Sequence, residues 1–270
     1  METQIHPTAI VDPQAILGQG VKVGPFAVVG PRVEIGDESR LEAHAVIAGP
    51  TRMGRANRVY SGAHIGFDPQ DLKFAGEEVF LEIGDRNHFR EGCTVHRGTG
   101  KGGGITRVGS DNLLMVGAHV AHDCQVGNRT IFANNGTLAG HVIVDDDAVI
   151  GAFSSVHQFC RVGRYAYIGG YSVLTQDVLP FVKTVGTKPA VYGLNRIGLE
   201  RKGFDEATLK ILERAFRILV RSKLSVKSAL EKLREELAGQ NPQVDYLIDF
   251  VAGAERGVIT SLPGRGSRGG

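Results

Sequence analysis

An apolar residue recurs at every sixth position through most of residues 11–174. Early in the chain the beat runs Val11, Leu17, Val23, Val29, Ile35, Leu41, Ile47, Met53, Val59, Ile65. It continues at Ile83, Phe89 and Val95, and from Val108 it runs unbroken through Leu114, Val120, Val126, Phe132 and Leu138 to Leu174. Apolar residues make up 42% of the chain, so composition alone does not generate a run of this length. A period of six fits neither the 3.6 of a helix nor the alternation of an isolated strand. It describes a unit that cannot bury its own face and must stack on its neighbours.

Two flanking positions refine the unit. The residue two before the apolar one is usually small, as at Ala9, Ala15, Ala27, Ala118, Gly136, Ala148 and Ser154. Two inward residues two apart are strand spacing. The residue after the apolar one is often glycine, as at Gly18, Gly24, Gly36, Gly109, Gly127 and Gly151. The unit must also turn a corner, and these glycines are expected to supply the backbone angles for it. The pattern resembles the hexapeptide repeat of left-handed parallel β-helices. Handedness, and a coil of three hexapeptides, are implied by that resemblance and not by the period. Eighteen residues then make one coil, with residue n beside residue n+18 at roughly 4.8 Å.

The expected fold is therefore mainly β: a left-handed parallel β-helix over 1–180, followed by a small C-terminal α-helical domain. The beat lapses at 66–80 and again at 96–106, where Gly100-Lys101-Gly102-Gly103-Gly104 reads as a flexible excursion. Ile65 and Ile83 are eighteen apart, so the first lapse reads as a loop replacing part of a coil. The second lacks the Gly-Lys-Ser/Thr ending of a phosphate loop. Residues 181–262 read as an irregular connector and three helices. Asp205 caps the first, Ser225 begins the second, and Asn241-Pro242 begins a third reaching about Val258. Residues 263–270 read as a disordered Gly/Arg tail. Cys93, Cys124 and Cys160 all occupy the small inward position, as buried free thiols. With no signal-peptide pattern near the start and no apolar run of membrane length, a cytoplasmic protein is expected. A net charge of +2 offers no argument for a nucleic-acid partner.

Coil arithmetic relates the histidines of the second half. His122 falls beside Gly140, Gly140 beside Gln158, and Asp123 beside His141. Such a column offers an imidazole base, a carboxylate to orient it, and an unobstructed backbone N–H. Those are the parts of an acyl-transfer site using direct attack by a hydroxyl. Solvated or structural histidines remain an alternative, as does a metal site built from His119, His122 and His141.

Longer segments narrow the choice. Ala118-His119-Val120-Ala121-His122-Asp123-Cys124, Ala133 to His141 (Ala-Asn-Asn-Gly-Thr-Leu-Ala-Gly-His) and Val156-His157-Gln158-Phe159-Cys160 resemble the UDP-N-acetylglucosamine O-acyltransferases of lipid A biosynthesis. So do Asp71-Leu72-Lys73, His96-Arg97-Gly98-Thr99 and Gly193-Leu194-Asn195. The resemblance implies a homotrimer with sites between subunits. It implies transfer of an (R)-3-hydroxyacyl group from acyl carrier protein to the 3-OH of UDP-N-acetylglucosamine. It implies His122 as general base, Asp123 as its partner and Gly140 as oxyanion donor, with no metal or other cofactor. Asp71, Lys73, His119, His141, His157 and Gln158 match substrate positions; Asn195 and Arg201 match the nucleotide end. Gly170 matches a position that sets acyl length, and its lack of a side chain predicts a long chain. Two positions depart from the family: Ile197 stands where an acidic residue is common, and Gly117 where asparagine is.

Between 201 and 234 there are ten Lys/Arg against four Asp/Glu. Lys210, Arg214, Arg217 and Arg221 recur at helical spacing, either as a solvated face or as a docking stripe for the acidic carrier protein. Rival functions are transfer to a 3-amino UDP-sugar, a zinc carbonic anhydrase, and a non-catalytic hexapeptide scaffold. The N-acyltransferase acting later in the pathway carries a uridine-binding domain ahead of its solenoid. A repeat that starts at Val11 argues against it.

Overall fold

The computed structural model describes residues 2–264. Met1 and residues 265–270, the greater part of the expected tail, lie outside it. The chain winds as a left-handed parallel β-helix of triangular section, with very short strands on three parallel sheets. Gln4 pairs with Lys22, Ile10 with Val28 and Ile16 with Glu34, each eighteen residues on, which defines the first, second and third sheets. The beat residues fill the interior: Ile47, Ile65, Phe89, Leu114, Phe132, Leu138, Ile150 and Leu174 are all fully buried. Burial of each such side chain stabilises the fold by roughly 1.5–3 kcal/mol.

The corners are built differently from the expectation. The residue three after most beat positions adopts the left-handed conformation, and it is mostly not glycine: Phe26, Glu38, His44, Asp123, Asn135, His141, Phe153, Phe159 and Tyr171 all have φ between 54° and 64°. That conformation costs about 1 kcal/mol for a residue with a Cβ. It is held because the amide of the same residue donates to the preceding coil: His141 N–H to the His122 carbonyl at 3.0 Å, Phe159 N–H to Gly140 at 3.2 Å, Asn135 N–H to Val116 at 2.9 Å. The glycine one after the beat residue serves closeness instead. A Cβ on Gly36 would lie 2.6 Å from the Gly54 carbonyl carbon, and one on Gly151 would lie 2.4 Å from the Ile168 oxygen.

The first lapse, like the second, is an insertion and not a replacement. Val59 pairs with Phe89, thirty residues on, and Phe89 with Leu114, twenty-five on. Relative to a step of eighteen, twelve and then seven residues are added while every coil stays complete. The first insertion preserved the six-residue phase, so from sequence it looked like a substitution. Both leave the second sheet and rejoin the third, after His64–Phe67 and after Thr94–His96. The second is ordered: Gly100–Gly102 forms a 3-10 turn capped by the buried Thr99.

Residues 181–203 contain regular structure. Val182–Val185 extends the first sheet and Ala190–Leu194 closes it antiparallel. Helix α1 (Arg196–Arg201) follows, then α2 (Glu206–Phe216), α3 (Val226–Leu237) and α4 (Pro242–Ala252). Asp205, Ser225 and Asn241 cap α2, α3 and α4 as expected, each side chain accepting from a first-turn amide. Helix α4 stops six residues before Val258, because the chain there returns to the solenoid: Asp177 N–H donates to the Gly257 carbonyl and Ile259 N–H to that of Asp177.

Where the small inward residue would stand at 57, 87 and 112, the chain places asparagines, all buried. They form an internal ladder. Asn57 Oδ1 accepts from the Asn87 amide, Asn87 Oδ1 from the Asn112 amide, and Asn112 Oδ1 from both Thr130 N–H and its hydroxyl. The side-chain amide of Asn87 donates to Asn57 Oδ1 at 3.0 Å and to the Gly109 carbonyl at 2.9 Å. These rungs span the coils that bear the insertions, where the register changes. Asn87→Ala leaves the Asn112 amide and the Gly109 carbonyl without these partners and should lower unfolding stability by about 3 kcal/mol. Denaturant titration checks this; a loss under about 1 kcal/mol would contradict the role of the ladder.

Candidate active site

The corner between the second and third sheets carries most of the chemistry. Three successive coils place His122–Asp123, Gly140–His141 and Gln158–Phe159 there, one above another. His119 and His157 lie on or just beyond the strands entering it. Both insertions leave from this corner in the two preceding coils.

His122 Nδ1 faces Asp123 Oδ2 at 2.8 Å. A carboxylate only accepts, so Nδ1 carries the proton and Nε2 keeps its lone pair in the neutral ring. Gly140 makes room for the ring: a Cβ there would lie 2.5 Å from Cε1 and 2.8 Å from Nε2. Any other residue would strike the imidazole. Among the described residues the Gly140 N–H donates to no protein acceptor. His141 approaches the same carboxylate, with Nε2 3.6 Å from Oδ2. Its ring stacks on Phe159, centroids 4.5 Å apart, and meets His122 edge-on at 5.2 Å.

Asp123 is nearly inaccessible, with 1% of its side chain exposed. It is gripped by the second insertion. Thr99 donates its amide to Oδ1 at 2.9 Å and its hydroxyl to Oδ2 at 2.7 Å, while the Asp123 amide donates to Thr106 Oγ1 at 2.7 Å. Sequence reasoning missed Thr99 and Thr106; the glycine run was the visible signal, and it read as flexibility. His119 turns from the pair toward Thr94, its Nδ1 2.7 Å from Oγ1, and packs edge-on against His96. Burial, and after it the neighbouring His96 and His122, push the His119 imidazolium down to about 4. Burial likewise lowers the values of His96 and His141.

The metal trio of His119, His122 and His141 is thus not assembled. His122, Asp123 and His141 do present donor atoms within 4.8 Å of one another. Both oxygens of that carboxylate, however, already accept hydrogen bonds from Thr99. The three cysteines are buried and free, and burial raises the Cys93 and Cys124 thiols to about 12. No helix among the described residues is long and apolar enough to cross a membrane.

Other expected site residues lie elsewhere in the section. Asp71 and Lys73 sit on the first insertion, where Asp71 Oδ1 accepts from the Lys73 amide at 2.9 Å; Asp71 is close enough to favour the charged form of His141. Gly170 lies between the first and second sheets, beside Tyr171. Asn195 is at the third-to-first corner, donating to the Tyr165 carbonyl at 3.2 Å, and Arg201 ends α1 there. Next to it Lys202 pairs with Asp147 at 2.7 Å. One chain therefore does not bring Asn195 and Arg201 to His122. Lys210 and Arg214 lie on α2, whereas Arg217 and Arg221 lie on the π-helical turn that extends it. Arg214 is tied to Glu236 at 2.6 Å; among the described residues Lys210, Arg217 and Arg221 have no ion-pair partner.

The neutral state of His119 has a consequence for stability. The unfolded chain takes up a proton there as pH falls through the ordinary imidazole value of 6.5, and the folded chain does so only near 4. The unfolded state then binds more protons, so stability falls as pH drops across that window, by up to about 3 kcal/mol from this group. His119→Gln should make the decline between pH 6.5 and 4 shallower in denaturant titrations at stepped pH. An unchanged slope would contradict it.

Comparison with known proteins agrees with this architecture. Residues 14–49 match a model of the bacterial transferase hexapeptide (six repeats), and residues 177–259 match domain 2 of UDP-N-acetylglucosamine O-acyltransferase. The structure of UDP-N-acetylglucosamine O-acyltransferase (LpxA) from Moraxella catarrhalis is 43% identical, with 94% of this chain and 99% of that one covered at a TM-score of 0.91. LpxA from Bacteroides fragilis, a UDP-N-acetylglucosamine acyltransferase, is 40% identical over 95% and 100% of the two chains, TM-score 0.91. The Francisella novicida UDP-N-acetylglucosamine acyltransferase is 34% identical over 95% and 94%, TM-score 0.92. With likeness of this degree along nearly its whole length, and with the hexapeptide solenoid and helical domain in the same order, the chain belongs to the UDP-N-acetylglucosamine O-acyltransferase family of enzymes.

Proposed function

We propose that this enzyme moves an (R)-3-hydroxyacyl group from the thioester of acyl carrier protein to the 3-OH of UDP-N-acetylglucosamine, the opening step of lipid A biosynthesis. His122 Nε2 takes the proton of the attacking hydroxyl. The oxygen bonds to the thioester carbon, the Gly140 N–H donates to the oxyanion, and the tetrahedral intermediate collapses to an ester. The departing thiolate recovers the proton from the His122 imidazolium. Asp123 holds the ring in the Nδ1–H tautomer and stabilises its charged form. The observation that carries this reading is the contact of the His122 ring with Gly140, together with an Nδ1 committed to Asp123 and a Gly140 N–H that donates to no acceptor among the described residues.

His141, His157, Gln158, Asp71 and Lys73 line the acceptor and acyl side in this reading. Asn195 and Arg201 take the nucleotide, Arg201 through paired donors to phosphate. Because those two stand on another corner of the same chain, we assign them to a second copy, and the working unit to a homotrimer with its sites between subunits. Gly170 leaves room for a long acyl chain. Buried, unpaired thiols suit a reducing compartment, and we place the reaction in the cytoplasm. In an assay with UDP-N-acetylglucosamine and 3-hydroxyacyl carrier protein, His122→Ala should lower kcat by about 10²–10⁴. A near-normal kcat would overturn the mechanism.

We assign carrier docking to the basic face of α2 and its π-helical extension. Arg214 is occupied by Glu236, which leaves Lys210, Arg217 and Arg221 to meet an acidic partner. Lys210→Glu combined with Arg217→Glu should raise KM for the acyl carrier substrate about tenfold at low salt and weaken its salt dependence, with kcat unchanged. A KM and salt slope like those of the parent enzyme would remove the docking role.

A further inference from the structure

We propose that Thr99 is a positioning residue for the reaction: carried over Asp123 by the seven-residue insertion, its hydroxyl fixes the carboxylate oxygen that orients His122. The proposal rests on His122 being the base. The geometry is a directed chain of hydrogen bonds. The Gly102 amide donates to Thr99 Oγ1 at 3.1 Å. With that lone pair engaged, the hydroxyl proton is turned to Asp123 Oδ2, 2.7 Å away. Oδ2 is the same oxygen that accepts from His122 Nδ1. The other oxygen is held by the Thr99 amide at 2.9 Å, so rotation of the carboxylate would break contacts on both oxygens at once.

The loop is shaped for this approach. A Cβ on Gly102 would lie 2.2–2.4 Å from the three carboxylate atoms of Asp123, so only glycine fits against it. The far end of the same loop holds the backbone of Asp123 through Thr106, at a residue whose φ of 60° needs support. A loop with only a connecting role would need none of these contacts. An unheld carboxylate would share its hydrogen bonds between His122 and His141, since both rings border Oδ2. Thr99 directs it to His122. The titratable groups around it are His122 and His141, with His96 and His119 behind the pair and Asp71 toward His141.

Thr99→Val keeps the shape and suits the extended backbone at that position, φ −122°. It should lower kcat about 10–100-fold, with KM for both substrates within about threefold of the parent. The acid limb of the kcat/KM profile should move to lower pH, because an imidazole whose carboxylate is no longer held beside it has lower proton affinity. Thr99→Ser should restore both quantities to within about threefold. Gly102→Ala, which leaves Thr99 in place but presses on the carboxylate, should behave like Thr99→Val. The proposal is overturned if Thr99→Val retains the parent kcat and acid limb while His122→Ala is inactive. It is also overturned if Thr99→Ser is as impaired as Thr99→Val, or if the loss only follows the folded fraction measured by thermal unfolding in parallel. Should His122→Ala keep near-normal kcat, the base assignment fails and this role falls with it.

Discussion

Hydrogen bonds between successive coils set every column in this molecule: strand amides donate to carbonyls of the coil that follows, as Gln125 N–H to Val142, and corner amides to the coil before, as His141 N–H to His122. At the corners, a residue with a Cβ is kept left-handed by its bond to the preceding coil. Each corner is unfavourable alone and becomes tolerable only in a stack, so the solenoid propagates as a unit. The same ladder is what gives the active corner its accuracy. The His141 amide donates to the His122 carbonyl at 3.0 Å, which brings Gly140 directly beside the imidazole. A contact of 2.5 Å to an imaginary methyl leaves no slack, and only a scaffold with little freedom between coils can maintain it.

Both insertions leave that one corner, from the two coils that precede His122. They are tied to each other and to the prism. Arg97 donates to the Gly49 carbonyl at 2.5 Å and pairs with Asp68, which spans the base of the first loop. Glu77 accepts from the Ala75 amide at 2.9 Å and from the Gly100 amide at 3.2 Å, which joins the first loop to the second. These backbone donors, the Ala75 contact foremost, hold the Glu77 carboxyl below its usual range. A regular repeat offers only a flat face and short corner side chains. The added residues supply what the repeat lacks: reach from Asp71 and Lys73, and a roof of donors over Asp123.

The column of His122, Gly140 and Gln158, and the pairing of Asp123 with His141, were legible by counting in eighteens, because no insertion falls between those coils. The count was misleading where insertions do fall. The first adds two whole hexapeptide lengths and leaves the phase unchanged, so Ile65 and Ile83 kept a coil's spacing although they lie on different sheets. Glycine is the residue expected at a corner, because a permissive backbone is its familiar role. Here it marks close approach, and the left-handed residues, from Phe26 to Tyr171, carry no signal in side-chain type. Helix caps were legible in chemistry alone: Asp205, Ser225 and Asn241 each satisfy first-turn amides. The hydrogen bonds of Thr99 were not, since they depend on how a seven-residue loop folds back, and no periodicity describes that.

The triangular section also limits what one chain can do. His122 belongs to the second-to-third corner, Gly170 to the first-to-second and Asn195 to the third-to-first. A packed interior of Phe89, Phe132, Leu138 and their neighbours lies between them, and the prism cannot bend one corner toward another without breaking the ladder that holds the coils. Neither loop motion nor local repacking closes that separation. If, as proposed above, Asn195 and Arg201 hold a nucleotide whose sugar reaches His122, the site draws on two chains, one offering each corner. On the proposed reading, the rigidity that keeps Gly140 against the imidazole is also the reason for a site shared between chains.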